Sequence, residues 1–328
     1  MPSFRAVRRL VHALSTLFFA ALGFFVTALL SANAAAQVAA APEAKPLAGY
    51  DKSYDKSTFQ KPIPSGQLAF LNHFSGATAG DIIRDKQYRK LMHEAIPDVT
   101  FHYGWDIMLK DALEKVLDGS TIPVQIRDNR YVLVSGRSGP YLGGRGFMWI
   151  DTQDGITLGG FYFHPTNGEP TPTVTVFSRQ LKAPAIKLSQ LPPAFADDLR
   201  QWSTDSGVPA VTTRYFIGDN KLRLLLEHDE DFCASIRGTA ASTDQCEQMN
   251  ADAADIDVNA AYYLDQINYA TNGTAWMINT PDQTNWLQMR DDTCRTRPDR
   301  LGCTIRMTRE RVRMVIERHP APQPPKRK

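Results

Sequence analysis

The sequence shows no excess of charge of either sign. Its 37 lysines and arginines stand against 35 aspartates and glutamates, for a formal net charge of +2. Without Arg5, Arg8 and Arg9 near the start, the balance is 34 basic against 35 acidic residues. A chain this close to neutral exerts no whole-molecule attraction on nucleic acid. Catalytic signatures are missing too. His93-Glu94 has no second histidine at the spacing of an H-E-x-x-H zinc site, and no G-x-S-x-G elbow occurs. The glycine-rich stretch SGRSGPYLGGRG (135–146) lacks the Lys-Ser/Thr and the following helix of a phosphate loop. The four cysteines form no C-x-x-C redox pair. These absences leave no catalytic residue, metal or cofactor assigned from the sequence.

Long apolar runs are also missing after residue 30, so no later segment reads as a membrane span. The one such run lies at the start. Arg5, Arg8 and Arg9 precede Leu14–Leu30, which is apolar apart from Ser15, Thr16, Gly23 and Thr27. Small residues from Ser31 to Ala36 then offer A-x-A cleavage sites after Ala34 or Ala36. Residues 1–36 therefore read as a secretory signal of bacterial style, with a periplasmic or secreted destination and no transmembrane segment after cleavage. The alternative is an uncleaved anchor. Residues 37–66 are rich in Ala, Pro, Lys and Ser without periodicity and read as a linker.

The mature length is large for one hydrophobic core, and two domains are expected. The first, 67–228, reads as α+β with a mainly antiparallel sheet, of no recognised family. Asp81 is a candidate cap for a helix reaching Ala95. Leu109, Ala112, Leu113, Val116 and Leu117 repeat at helical spacing before Gly119. From Pro123 the period becomes two: VQIRDNRYVLV reads as a hairpin turning at Asp128-Asn129, and a second hairpin turns near Asp154-Gly155. Further expectations are a strand at Val174–Val176, a helix over Pro193–Ser203 and a hairpin through RYFIGDNKLRLLLE. From 229 to 320 the texture is helical, with candidate helices at Asp255–Ala270, Thr280–Cys294 and Cys303–Arg318; 321–328 reads as a disordered basic tail.

All four cysteines lie in this second module. In an oxidising compartment they are expected as two disulfides. Of three pairings, Cys233–Cys246 and Cys294–Cys303 each close a short local loop; a zinc site is the alternative, at unfavourable spacing. Trp286, Arg290 and Cys294 fall at i, i+4 and i+8 on one helical face, and Cys303, Met307 and Met314 share another. A Cys294–Cys303 bond would clamp a helical hairpin, with an entropic gain of roughly 2.5–3 kcal/mol. The stretch DVNAAYYLDQ, the pattern W-L-x-x-R-D-x-x-C from Trp286 and the pattern C-x-x-x-M-T-x-x-R from Cys303 follow the first cysteine pair. In these features the module resembles the LprI-type lysozyme inhibitor family of exported bacterial proteins. The resemblance implies an all-α, disulfide-stapled fold without catalysis and a muramidase as partner.

Charge is split along this module: 227–289 carries eleven acidic residues against Arg237 alone, and 290–328 carries twelve basic against five acidic. Acidic helices packed beside basic ones would neutralise each other, whereas an exposed patch would steer a charged partner. Arg295, Arg297, Arg300 and Arg306 around the second cysteine pair are candidate contacts for a muramidase, an anionic glycan or a lipid headgroup. Arg137, Tyr141 and Arg145 are candidates on the glycine-rich link. His164 and the run His228-Asp229-Glu230-Asp231 carry metal-ligand chemistry, but read more simply as a structural histidine and a solvated face. Asp106, Asp111 and Glu114 are the carboxylates a glycosidase would need. Three readings follow: a non-catalytic muramidase inhibitor, an envelope module recognising peptidoglycan, lipid or a protein, and a hydrolase.

Overall fold

The computed structural model describes residues 54–102, 106–138, 144–163, 172–181, 186–236, 243–269 and 281–318. The expected signal (1–36), the linker up to residue 53 and the basic tail (321–328) lie outside the described residues. The described residues fall in one compact unit.

An eight-stranded sheet organises the molecule, in the order β3-β4-β5-β6-β7-β9-β10-β8. Its strands are β3 (Gln125–Arg127), β4 (Tyr131–Arg137), β5 (Arg145–Asp151), β6 (Ile156–Phe163), β7 (Thr173–Phe177), β8 (Ile186–Lys187), β9 (Thr213–Ile217) and β10 (Arg223–Glu227). The first hairpin turns at Asp128 and Asn129, whose φ angles of 52° and 50° are those of a type I′ turn. From β3 to β7 every pairing is antiparallel, whereas β7 pairs with β9 and β10 with β8 in parallel. The parallel step requires a crossover, supplied by the helix Pro193–Asp205. The strands between β4 and β7 are buried on both faces, so they read as continuous apolar runs rather than alternating ones.

Among the described residues six helices cover the sheet or lead onto it: α1 (Ser65–Leu68), α2 (Ala79–Ile82), α3 (Lys86–Ala95), α4 (Leu109–Leu117), α5 (the crossover helix Pro193–Asp205) and α6 (Phe232–Ile236). A separate two-stranded ladder, β1 (Thr100–His102) with β2 (Asp106–Met108), precedes α4. One face of the sheet packs Val132, Val134, Met148, Ile150 and Phe161 against Tyr88, Leu91 and Met92 of α3 and Leu113 and Val116 of α4. The other packs Phe147, Trp149, Leu158 and Phe216 against Phe195, Leu199 and Trp202 of α5. Trp149 Nε1 donates to Asp198 Oδ2 at 2.9 Å, and Arg127 Nη1 lies 2.6 Å from Asp198 Oδ1, so the buried carboxylate pins α5 to two strands. Gly159 and Gly160 of β6 leave room for aromatic rings: an added Cβ would lie 2.2 Å from Phe177 at the first and 2.3 Å from Phe147 at the second.

Two expectations change here. The helix expected from Asp81 to Ala95 is two helices. Thr78 and Asp81 form a capping box at the first, and Asp85 restarts the chain by accepting from the backbone N–H groups of Gln87 and Tyr88. Residues 54–63, expected as linker, belong to the folded body. Phe59 bridges to Leu181, Ile63 N donates to the Gly155 carbonyl at 2.9 Å, and Lys56 Nζ lies 2.6 Å from Asp154 Oδ1.

Three longer helices follow among the described residues: α7 (Thr243–Tyr269), α8 (Pro281–Arg295) and α9 (Arg300–Arg318). The expected boundary near 228 does not separate them from the sheet. Tyr215 of β9 and Leu225 of β10 share a buried cluster with Val258, Ala261 and Tyr262 of α7 and Val312 and Val315 of α9. No helix of the described residues is long and apolar enough to cross a membrane.

Candidate partner-binding site

The helical region is held by covalent and polar links that its sequence places on facing sides. Cys233 is bonded to Cys246, tying α6 to α7, and Cys294 to Cys303, closing the α8–α9 turn. Trp286 is half-buried, and Arg290 and Cys294 are buried along one stripe of α8. Arg290 bonds Asp255 of α7, donates to Thr308 Oγ1 of α9 at 2.9 Å and to Asp291 at 3.0 Å, and lies over the Trp286 ring at 5.4 Å. Arg311 of α9 covers the same indole at 5.5 Å, bonds the Tyr262 hydroxyl and pairs with Asp282 at 2.7 Å. One tryptophan thus sits between two arginines, each neutralised by an aspartate from another helix. The acidic and basic parts do meet, through Asp255–Arg290 and Asp282–Arg311. On α9, Cys303 and Met307 turn inward, whereas Met314, expected on the same face, is half exposed.

The turn between α8 and α9 faces solvent. Arg295, Arg297, Arg300 and Arg306 are all exposed, against three exposed carboxylates, Asp291, Asp292 and Asp299, the first of them engaged by Arg290. Arg295 pairs with Asp292 at 2.7 Å and Arg306 with Asp299 at 3.0 Å. The Arg306 guanidinium and the Gly302 N–H hold the Asp299 carboxyl below the usual range. Arg297 and Arg300 form no ion pair with another described residue. The backbone beneath them is ordered by the disulfide, by Asp299 accepting from Gly302 N at 3.0 Å and by Arg297 N donating to the Cys294 carbonyl at 3.1 Å. The result is a stapled tip carrying two cations unpaired among the described residues.

The other sequence candidates scatter. Arg137 is exposed at the end of β4, and Arg145, opposite it on β5, is half-buried with its guanidinium 5.8 Å from the Tyr162 ring centre. Tyr141 and His164 lie outside the described residues. Asp106 and Asp111 are exposed, while Glu114 lies 3.6 Å from His93 across α3 and α4. The run at 228–231, read as a solvated face, is instead engaged on four sides. His228 is buried, with Nδ1 2.7 Å from Asp257 Oδ1 and its backbone N–H on Asp257 Oδ2 at 2.8 Å. Asp229 accepts from Ser189, Glu230 pairs with Arg214 at 2.6 Å, and Asp231 caps the backbone at Cys233. Among the described residues no group of three or more His, Cys, Asp or Glu side chains converges on a metal position.

No family model matches the chain, and neither a curated protein nor a solved structure matches it.

Proposed function

We propose that this is a non-catalytic exported binding protein that protects the cell envelope by occupying a lysozyme-like muramidase, with the α8–α9 tip as the contact. The observation that carries the reading is the stapled tip itself, which holds Arg297 and Arg300 outward without an ion pair among the described residues. A muramidase cleft carries paired carboxylates for its chemistry. A rigid cationic projection matches such a cleft in charge and gives up little conformational freedom on entering it. The two disulfides fit an oxidising, extracytoplasmic compartment, in agreement with a secretory reading of residues 1–36.

The test is lysis of a peptidoglycan suspension by a panel of muramidases, with the mature protein titrated in. Stoichiometric inhibition is expected, and the R297E/R300E variant should need at least about tenfold more protein for the same effect, a loss of roughly 1.4 kcal/mol. Undiminished inhibition by that variant would remove the tip from the contact. No inhibition by the unaltered protein would remove the muramidase reading. Sedimentation with purified sacculi in the absence of muramidase would then favour recognition of the envelope itself.

A further inference from the structure

We propose that the cavity beneath α5 binds a free α-amino acid with an apolar side chain, held between Arg214 and Glu230. The site is distant in sequence from the stapled tip and stands whether or not a muramidase is the partner.

The cavity encloses about 230 Å3 between α5, the start of β9, α6 and Met249 of α7. Its apolar walls are Val174, Leu199, Val208, Phe232 and Met249. Two oppositely charged side chains also line it. Arg214 and Glu230 are 13% and 17% exposed, with Arg214 Nη1 2.6 Å from Glu230 Oε1. The pair does not satisfy itself. Glu230 Oε2 is buried without a hydrogen-bond partner, and beyond its contact with Glu230 the Arg214 guanidinium has no partner among the described residues. Buried polar atoms left in this state are costly unless something else binds them.

The hydroxyls around the cavity decide what that something is. Ser203, Thr204 and Thr212 donate to the carbonyls of Leu199, Arg200 and Pro209 at 2.7, 3.1 and 2.9 Å. Their protons are engaged, so they offer the cavity only acceptor lone pairs. Around Glu230 the lining therefore asks for a donor, and around Arg214 for an acceptor. A lone ammonium would meet the Arg214 charge, and a lone carboxylate would meet Glu230. A zwitterion meets neither difficulty: its ammonium can bond Glu230 Oε2 and the hydroxyl oxygens, its carboxylate can accept from the Arg214 guanidinium, whose buried Nη1 has no hydrogen bond of good geometry, and the complex buries no net charge. Size narrows the class further. The volume is below the roughly 300–1,000 Å3 of drug-sized sites and equals about seven or eight water volumes. That is room for valine, leucine or methionine.

The experiment is isothermal titration calorimetry on the whole mature protein, supported by thermal shift. Leucine and valine should bind. Leucinamide, N-acetyl-leucine and n-pentylammonium should give at least tenfold weaker binding. Arg214→Gln and Glu230→Gln should each lose leucine binding. Because either change also disturbs a buried pair, Ser203→Leu serves as the second variant: it fills the cavity, leaves the charges in place, and should lose binding while keeping the unaltered protein's melting temperature. Absence of heat with millimolar leucine would overturn the proposal. So would equal binding of leucinamide or N-acetyl-leucine, or unchanged leucine binding in the Ser203→Leu variant.

Discussion

Truncating Arg290 is the sharpest test of how the helical region is held. Its side chain is 7% exposed and reaches three helices, through Asp255 of α7, its neighbour Asp291 on α8 and Thr308 of α9. Arg290→Ala removes charge-assisted hydrogen bonds worth about 1.5–3 kcal/mol in context and a cation–π contact with Trp286 worth about 1 kcal/mol. It also leaves the fully buried Thr308 hydroxyl facing a void. Against these losses stands the relief of a buried guanidinium's desolvation. Asp255 and Asp291 are 43% and 58% exposed and would rehydrate, so neither becomes a stranded charge. The net loss should sit at the lower end of the roughly 3–5 kcal/mol for breaking a buried pair, near 3 kcal/mol. Arg290→Met, which keeps the stem against Trp286, should lose about 2 kcal/mol, as the stem's packing survives. Urea denaturation with linear extrapolation measures both, with the slope expected to stay constant. A loss below about 1 kcal/mol for Arg290→Ala would refute the claim that this arginine organises the three helices.

Three further outcomes are expected. Replacing Cys294 and Cys303 together by serine should cost about 2.5–3 kcal/mol, read as a lower urea midpoint under non-reducing conditions; an unchanged midpoint would mean the tip is ordered without its staple. Gly155 has φ +65°, and a Cβ added there would lie only 2.0 Å from the Ile63 carbonyl oxygen, so Gly155→Ala should cost about 1–3 kcal/mol. It should also expose the strap at Lys56 and Lys61 to trypsin, and equal digestion rates would count against this. Burial opposes ionisation of Glu230, but Arg214 and His228 outweigh it and hold the carboxyl below its ordinary value. A depressed folded-state value contributes stability that is complete above the unfolded value and is lost as pH falls through the folded one. The stability gap between the unaltered protein and Glu230→Gln should therefore close on acidification below about pH 4.5; parallel pH curves would contradict it.

Where structure depends on neighbours in sequence, the chain can be read directly. Asp128-Asn129 announces its turn because only a few residue types accept two consecutive positive φ angles. The short apolar runs of β4 to β6, bounded by turn residues, and the 3.6-residue stripe of α4 likewise point to their elements. Features made by distant partners cannot be read this way. Nothing local to Phe59 or Ile63 tells that they meet Leu181 and Gly155, so an Ala/Pro/Lys/Ser composition suggests a linker. The parallel pairing of β7 with β9 depends on how α5 folds back, which no pattern within either strand records. His228-Asp229-Glu230-Asp231 looks like a solvated run because charge is visible in sequence and its neutralisation is not: Asp257 lies 29 residues away, on α7. The first half of α7 escapes the sequence for a related reason. Its Asp, Asn, Gln and Ala residues carry little apolar periodicity, and it is held by Cys233–Cys246 and by packing of Met249 and Ala253 with Phe232 of α6.

The residues of the two motifs around Cys294 and Cys303 bear on where function can lie. Trp286, Arg290, Cys294, Cys303, Thr308 and Arg311 are all buried or half-buried, and each touches another of the set or a neighbouring helix. Asp291 apart, which is exposed, residues in such contacts specify how three helices pack and say nothing about what their outer surface meets. Two proteins can share them and present different tips. On the proposed function, recognition comes from residues the pattern leaves free, the loop at 295–300 among them, whose charge is set independently of the core. Substitutions at Arg297 and Arg300 should change partner binding at constant stability, and substitutions at Trp286 or Arg290 should change stability first. A swap of the 295–302 loop that left the melting temperature unaltered but abolished partner binding would separate the two roles. If binding instead followed stability through both sets of variants, the pattern residues themselves would have to form the contact.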